Sequence, residues 1–309
     1  MRRHHVPQLV GLWMTFALAP VLAPAGTAHA ASPPLRVVAS FSVLADMVRE
    51  VGGSSVEVIS LVGPNADAHV FSPTPADARR VARADLVVIN GLHFEGWIDR
   101  LVRASGYAGP VVVASSGIVA RQAGLALDAH AWQSLTHAKR YVENIRAAVV
   151  AAMPSHGPAI DARAADYLRR IVALEHDTIA AIGRLPAKRR RVITAHDAFG
   201  YFSAAYGIEF VSPRTWSGDS EPSAEAIARL IREARTQHAG ALLLENIGDP
   251  RLIERMAREA GVGVGGALYS DALSPPGTVA DTYLRMFAHN VRTIVEALST
   301  VQLSAKEAR

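Results

Sequence analysis

Short β-type runs alternate with helical stretches along the first half of the chain. Runs rich in Val, Ile and Leu predict strands at 35–40, 56–62, 85–90 and 111–114. Helically spaced apolar residues between these runs predict helices at 42–51, 75–83 and 95–104. Strands that alternate with helices are typical of βαβ units, which build a parallel sheet. The first half is therefore predicted to form an α/β lobe.

The same alternation returns in the second half of the chain. Its predicted strands are 191–195, 208–211, 241–245 and 263–269. Its predicted helices are 197–206, 222–236, 250–260 and 278–299. We therefore predict an α/β fold with two lobes, each built on a mostly parallel four-stranded sheet flanked by helices.

The stretch between the two lobes is predicted to be helical throughout. Residues 138–184 contain no run typical of a strand. From Gly157 to Leu185 the apolar residues recur with a helical period, and Pro154 and Pro186 flank this stretch. At a rise of about 1.5 Å per residue, such a helix can run the length of a two-lobed molecule. The predicted domains are an N-terminal lobe at 31–155, a rigid linking helix at 156–186 and a C-terminal lobe at 187–309.

The first 30 residues have the character of an export signal. Arg2 and Arg3 precede an apolar stretch from Leu9 to about Leu22, and Ala28-His29-Ala30 has the small-x-small pattern of a signal peptidase site. The apolar stretch is shorter than the roughly 20 residues of a membrane-spanning helix. We therefore predict a cleavable signal peptide at 1–30 and a soluble mature protein in the periplasm.

Composition narrows the chemistry further. The chain has no cysteine, which excludes disulfides, thiolate metal sites, a cysteine nucleophile and a lipidated cysteine. Without the two arginines of the predicted leader, the net charge falls from +4 to about +2, too small for a nucleic-acid-binding surface. We interpret the basic cluster at 188–191 as a solvated turn. We therefore expect no nucleic-acid partner and no lipid anchor, and we expect a monomer.

Four potential metal ligands follow predicted strands directly. His69 and His130 follow the second and fourth strands, while His196 and Asp271 follow the first and last strands of the second lobe. Because open α/β sheets bind ligands at the carboxyl ends of their strands, these side chains can meet in the cleft between the lobes. A single histidine after a strand is more often a surface or capping residue, so the hypothesis depends on the four together.

The donor set indicates the kind of ion. Three imidazoles and one carboxylate suit Zn²⁺, whereas Ca²⁺ or Mg²⁺ would need oxygen ligands. A secreted zinc hydrolase is an alternative, but the sequence has no HExxH, GxSxG or paired-carboxylate motif. Four protein ligands would also fill the position that a catalytic water needs. We therefore predict a binding protein rather than an enzyme; an adhesin or scaffold would leave the four residues unexplained.

The segments around these residues resemble a known family. PNADAHVFSPTPAD, DAHAW, ITAHDAFGYFSAAYG and LYSDALS are similar to the four metal-ligand segments of the cluster A-I (cluster 9) solute-binding proteins. Further family-like segments are VVASFSVLADMVREVGG, NGLHFEGWIDRL and SGDSEPSAEAIARL, and the resemblance covers 35–299. These proteins are the extracytoplasmic receptors of ABC importers for zinc and manganese.

The resemblance implies two α/β lobes joined by one rigid helix, with the metal in the interlobe cleft. The ligands that it implies are His69, His130, His196 and Asp271. It also implies an ABC permease as partner, with a periplasmic metallochaperone as a further candidate. Manganese receptors of the family typically have Glu at the position of His196, whereas zinc receptors usually have His. We therefore expect high-affinity zinc uptake, with a manganese or iron receptor as the alternative.

One loop and two single residues bear on the details of the metal site. Many zinc receptors carry a His/Asp-rich loop before the second ligand, but residues 115–129 contain no His and only Asp128, so we expect no auxiliary zinc-capturing loop. His93 stands where the family has a small residue; we interpret it as a partly exposed loop residue, with an accessory ligand as the alternative. Glu245, at the end of a predicted strand, is a candidate for orienting a ligand imidazole.

Overall fold

The computed structural model describes residue 1 and residues 33–123, 126–213, 223–236 and 241–307. The predicted signal peptide at 1–30 lies outside these ranges apart from Met1. No helix within them is long and apolar enough to cross a membrane.

A parallel sheet forms the first lobe. Its strands are β1 (Leu35–Phe41), β2 (Val56–Val62), β3 (Leu86–Ile89) and β4 (Val111–Val113), in the order β2-β1-β3-β4. Its helices are α1 (Ser42–Gly52), α2 (Pro75–Ala82) and α3 (Ile98–Ser105). The strand β3 is buried along its whole length, which is typical of a parallel sheet that helices cover on both faces.

The start of α2 shows the sequence specifying local structure. The Thr74 hydroxyl accepts a hydrogen bond from the Asp77 backbone N–H, and the Asp77 carboxylate accepts one from the Thr74 backbone N–H at 2.8 Å. This reciprocal capping box, with Pro75 in the first turn, satisfies donors that a helix start otherwise leaves unpaired. The loop that carries His69 therefore ends at a well-defined point.

Two helices and an antiparallel pair of strands follow β4. The strands β5 (Gln122–Ala123) and β6 (Ala126–Leu127) pair antiparallel ahead of α4 (Leu135–Ala152) and α5 (Gly157–Gly183). With 27 residues, α5 is about 40 Å long. The guanidinium of Arg190 donates to the carbonyl of Leu185 at 2.9 Å, close to the carboxyl end of α5. The linking helix thus has the length that the sequence predicts.

A second parallel sheet forms the C-terminal lobe. Its strands are β7 (Arg191–Ile193), β8 (Glu209–Val211), β9 (Ala241–Glu245) and β10 (Val264–Leu268), in the order β10-β9-β7-β8. Its helices are α6 (Gly200–Tyr206), α7 (Ala224–Thr236), α8 (Arg251–Ala260) and α9 (Tyr283–Glu307). The predicted fold class, α/β with two four-stranded parallel sheets and a long helix, is confirmed. The domain boundaries at 31–155, 156–186 and 187–309 stay a prediction.

Helices α3, α6 and α9 begin at least three residues later than the apolar pattern predicts, and local contacts account for α3 and α9. The Glu95 carboxylate accepts hydrogen bonds from the backbone N–H groups of Asn90 (2.6 Å) and Gly91 (3.2 Å), which holds the stretch before Ile98 in a turn. Before α9, the Ser274 hydroxyl accepts from the backbone N–H of Ala280 at 3.0 Å and closes a loop. Local polar contacts therefore replace the first helical turn in both places.

The hydrophobic core extends through both lobes. One buried cluster includes Phe41 of β1, Trp132 of the loop after β6, and Tyr283 and Phe287 of α9. A smaller cluster lies around α7 and α8 of the C-terminal lobe. Because the larger cluster includes residues of both lobes, the loops that carry the candidate ligands rest on shared apolar packing.

Candidate metal site

The four predicted ligands lie in loops at the carboxyl ends of strands. His69 lies in the loop after β2, His196 in the loop after β7 and Asp271 in the loop after β10. The prediction that His130 follows β4 directly is wrong, because the β5–β6 hairpin intervenes. One donor atom from each of the four residues lies within 4.8 Å of the others. The described ranges contain no second group of three or more such ligands.

Asp271 lies at the centre of this cluster. Its Oδ2 is 3.2 Å from His69 Nε2 and 3.2 Å from His196 Nε2. Its Oδ1 is 3.6 Å from His130 Nε2, and the Nε2 atoms of His69 and His130 are 3.2 Å apart. All three imidazoles therefore direct Nε2 toward one point.

Burial divides the four side chains into two pairs. The side chains of His130 and Asp271 are 0% exposed, whereas those of His69 and His196 are 13% and 14% exposed. Solvent therefore reaches the cluster past His69 and His196. Asp271 Oδ1 is buried and has no hydrogen-bond donor. A buried carboxylate oxygen without a donor is costly unless a cation binds it.

A carboxylate orients His130 from behind. Asp128 Oδ1 accepts from the His130 backbone N–H at 3.0 Å and lies 3.0 Å from His130 Nδ1. This contact favours a proton on Nδ1 and leaves Nε2 free to bind a metal. A Cβ atom at Gly200, the first residue of α6, would lie 2.4 Å from Asp128 Oδ2. The close approach of α6 to this carboxylate therefore requires glycine.

Glu245 supports His196 in the same way. Its Oε2 lies 2.7 Å from His196 Nδ1, and its Oε1 accepts from the backbone N–H groups of Ala195 (2.9 Å) and His196 (3.0 Å). One buried carboxylate thus fixes both the ring and the backbone of this residue.

The neighbouring carboxylates control protonation of the imidazoles. Burial acts to lower the pKa of His130, but Asp271 and Asp128 outweigh burial and raise it to about 9. Burial likewise opposes protonation of His196, but Glu245 and Asp271 raise its pKa well above its usual value. Burial acts to raise the pKa of Asp271, but His130 and His196 hold it well below its usual range. At neutral pH the cluster therefore binds protons where a cation would bind.

Hydrogen bonds tie the Asp271 loop to the His130 loop. Trp132 Nε1 and Gln133 Nε2 both donate to the carbonyl of Ser270, at 2.9 Å and 2.7 Å. Ser42 Oγ, at the start of α1, accepts from the Leu273 backbone N–H at 2.9 Å. Residues of the first lobe therefore hold the loop that carries Asp271, one of the two candidate ligands of the second lobe.

The role of Asp128 was not predicted from the sequence, although a repeated tripeptide points to it. Asp-Ala-His occurs at both His69 and His130, and in each case the Asp side chain accepts from the histidine backbone N–H. This is the contact by which Asp shapes a turn two residues ahead. His93, in contrast, is exposed with φ of 60° and lies outside the four-residue cluster.

The chain is similar in sequence to one protein family and to several of its characterised members. The family described as zinc-uptake complex component A, periplasmic (ZnuA) matches residues 37–297. The manganese-binding lipoprotein MntA of Bacillus subtilis is 32% identical over 274 residues, covering 85% of this chain and 90% of that protein. The zinc-binding protein TroA of Treponema pallidum is 32% identical over 276 residues, covering 85% and 88%.

Solved structures agree with these sequence relatives. The periplasmic TroA structure from Treponema pallidum has a TM-score of 0.82 at 29% identity, covering 86% of this chain and 99% of that chain. A manganese-bound periplasmic metal binding protein from Candidatus Liberibacter asiaticus has a TM-score of 0.77 at 27% identity, covering 85% and 99%. The chain therefore belongs to the ZnuA family of metal-binding solute-binding proteins, the substrate-binding components of ABC importers.

Proposed function

We propose that this protein is the zinc receptor of an ABC importer and that His69, His130, His196 and Asp271 bind the transported ion. The observation that carries the proposal is the convergence of four donor atoms, from loops of both lobes, within 4.8 Å of one another. Donors about 2.0–2.1 Å from a tetrahedral zinc ion lie about 3.3 Å apart. The Nε2 atoms of His69 and His196 each lie 3.2 Å from Asp271 Oδ2, and the Nε2 atoms of His69 and His130 are 3.2 Å apart, which agrees with such a shell.

The donor set favours zinc over manganese. Three neutral imidazoles and one carboxylate offer a single oxygen donor, whereas Mn²⁺ prefers oxygen-rich shells. The relatives named above include a manganese-binding and a zinc-binding protein, so membership of the family leaves both ions open. Manganese is therefore the alternative cargo against which the site must be tested.

The same geometry favours a receptor over a hydrolase. A catalytic zinc site keeps one position for water, and a structural or transport site fills its shell with protein ligands. Here four side chains converge, and the carboxylates of Asp128 and Glu245 are engaged with ligand imidazoles. Neither carboxylate is placed as a general base for a metal-bound water.

The proposal also covers the location of the protein and its partners. Proteins of this family face the outside of the cytoplasm, and MntA is a lipoprotein by name. Since the sequence has no cysteine to carry a lipid, we propose an unlipidated periplasmic protein. We further propose that it is a monomer and that it delivers its ion to a membrane permease. A periplasmic metallochaperone that loads the protein is a further part of the proposal. Intact mass of exported protein tests for cleavage near Ala31 and for attached lipid.

Metal titration tests the site directly. Purified, chelator-treated protein should bind one Zn²⁺ per chain and prefer zinc to manganese in competition. His69→Ala and His130→Ala should weaken zinc binding at least a hundredfold, while His176→Ala, on a side chain 85% exposed, should leave it unchanged. A second tight ion per chain, or an equal loss in the His176 variant, would contradict the assignment. Zinc-dependent turnover of ester, peptide or phosphate substrates would favour the hydrolase.

A further inference from the structure

The side chain of Asn246 bridges the loops of two ligands. Its Nδ2 donates to Asn65 Oδ1 at 3.0 Å and to the carbonyl of Ala272 at 3.1 Å. Asn65 lies in the loop that carries His69, and Ala272 directly follows Asp271. One amide group therefore joins the His69 loop to the Asp271 loop.

Asn246 also adjoins the residue that supports His196. It directly follows Glu245, whose carboxylate contacts His196. Its backbone N–H donates to the carbonyl of Leu268 at 3.0 Å, which extends the pairing of β9 and β10. The bridging amide thus follows the end of β9, where Glu245 contacts His196.

The other end of the bridge is equally defined. Asn65 has a φ of 54°, a left-handed conformation that asparagine tolerates better than most residues. Its backbone N–H donates to the carbonyl of Leu273 at 3.0 Å. The Asn65 side chain is therefore fixed beside the Asp271 loop, where it accepts from Asn246.

The Asn246–Asn65 hydrogen bond is exposed. It holds the loop of His69, one of the two partly exposed ligands, to the segment that follows β9. Resting on the proposed function, we propose that Asn246 is a positioning residue that holds the His69 loop closed over the bound ion. The bridge then sets the rate at which the ion leaves, without contacting the ion.

Dissociation kinetics test this role. Zn²⁺-loaded Asn246→Ala should release zinc into excess chelator roughly fivefold to tenfold faster than the wild type, the effect of losing about one hydrogen bond. Asn65→Gly, which permits the left-handed backbone, should have a similar effect. The double variant should be no faster than Asn246→Ala, because that change already removes the contact with Asn65. Association rates should stay within twofold, and Co²⁺-loaded variants should keep the four-coordinate absorption spectrum of the wild type.

Asn144→Ala is the matched control. Asn144 Nδ2 also donates to two carbonyls, those of Ala114 (2.8 Å) and Ser116 (2.9 Å), but neither residue carries or adjoins a ligand. This variant should release zinc at the wild-type rate. If Asn246→Ala releases zinc at the wild-type rate, or if Asn144→Ala accelerates release equally, Asn246 has no positioning role. The proposed zinc-receptor function would be unaffected by either result. Failure of the wild type to bind one zinc per chain would instead overturn the proposed function.

Discussion

Glu245 Oε2 lies 2.7 Å from His196 Nδ1, while its other oxygen accepts the backbone N–H groups of Ala195 and His196. The carboxylate favours a proton on His196 Nδ1, so that Nε2, 3.2 Å from Asp271 Oδ2, can bind a metal once its own proton is lost. The imidazole is thereby held in the tautomer that can bind a metal.

Glu245→Gln should weaken zinc binding about tenfold to a hundredfold. The glutamine oxygen can keep the backbone hydrogen bonds, but its NH₂ group then faces Nδ1 and favours a proton on Nε2, which blocks metal binding. Competition with a chromophoric chelator measures the loss. Glu143→Gln, which breaks only an exposed ion pair with Arg140, should bind as the wild type does. Equal affinities in both variants would show that Glu245 does not set the tautomer.

Zinc binding should strengthen with pH well above neutrality. Because the pKa of His130 is raised to about 9 by Asp271 and Asp128 against the effect of burial, the metal-free site must lose protons when zinc binds. In the metal-free protein, this group contributes stability below its unfolded pKa of about 6.5 and loses that contribution as the pH rises through 9. The zinc-induced increase in melting temperature should therefore grow steadily from pH 6 to pH 9.

Calorimetry in buffers of different ionisation enthalpy counts the protons directly. Between one and two protons should be released per zinc ion near pH 7.5, because His130 and His196 both have raised pKa values. Release of no protons, together with a pH-independent thermal shift, would rule out binding through these imidazoles.

His196→Glu should raise the affinity for manganese relative to zinc. The change supplies a hard, anionic oxygen in place of an imidazole. The new carboxylate would face Glu245, so the double change His196→Glu with Glu245→Gln should bind manganese more tightly than His196→Glu alone. Competition titrations with both ions measure the ratio. A ratio unchanged in both variants would mean that cavity shape, rather than donor type, sets selectivity.

Gly200→Ala should lower zinc affinity through Asp128. The added Cβ would lie 2.4 Å from Asp128 Oδ2, so the carboxylate must shift away from His130 Nδ1 or α6 must move. We expect about a tenfold loss of zinc affinity and a destabilisation of about 1–3 kcal/mol. Gly183→Ala, where a Cβ meets no atom within 4 Å, is the control in chelator competition and thermal melting. Full zinc affinity in Gly200→Ala would show that Gly200 does not set the position of the Asp128 carboxylate beside His130.

Asp46→Asn should stabilise the metal-free protein at high pH. Burial raises the pKa of Asp46 to about 7, so its favourable contribution is complete below about pH 4 and is lost as the pH rises through 7. Asparagine keeps an acceptor for the Tyr283 backbone N–H, which Asp46 Oδ2 now accepts at 2.8 Å. The variant should gain up to about 4 kcal/mol at pH 8 and almost nothing at pH 4. Denaturant unfolding at both pH values tests this, and an equal effect at each would contradict it.

The periodic elements were predictable because their signals are local. Alternating apolar runs located both sheets, and the stretch from Gly157 to Leu185 located α5. The β5–β6 hairpin was not predictable from periodicity, since its strands have only two residues each. The late start of α3 depends on Glu95, whose hydrogen bonds to Asn90 and Gly91 cannot be inferred from apolar spacing.

In the candidate site, the ligand positions were predictable from the sequence and the residues that orient them were mostly not. The positions of His69, His130, His196 and Asp271 after strands suggested that they meet, because topology alone brings strand ends together. The partners that orient them depend on contacts between distant segments, such as Gly200 against Asp128 and Asn246 against Asn65. Those contacts require the packed lobes and have no periodic signal.

The attachment of the Asp271 loop to the first lobe has a consequence for transfer of the ion. Since Trp132 and Gln133 hold the Ser270 carbonyl and Ser42 holds the Leu273 backbone, a tilt of the second sheet would carry away His196 before Asp271. The coordination number would then fall from four to three, with the remaining donors still in place. Under the proposed function, the ion would then leave by stepwise exchange of its donors rather than by loss of all four at once.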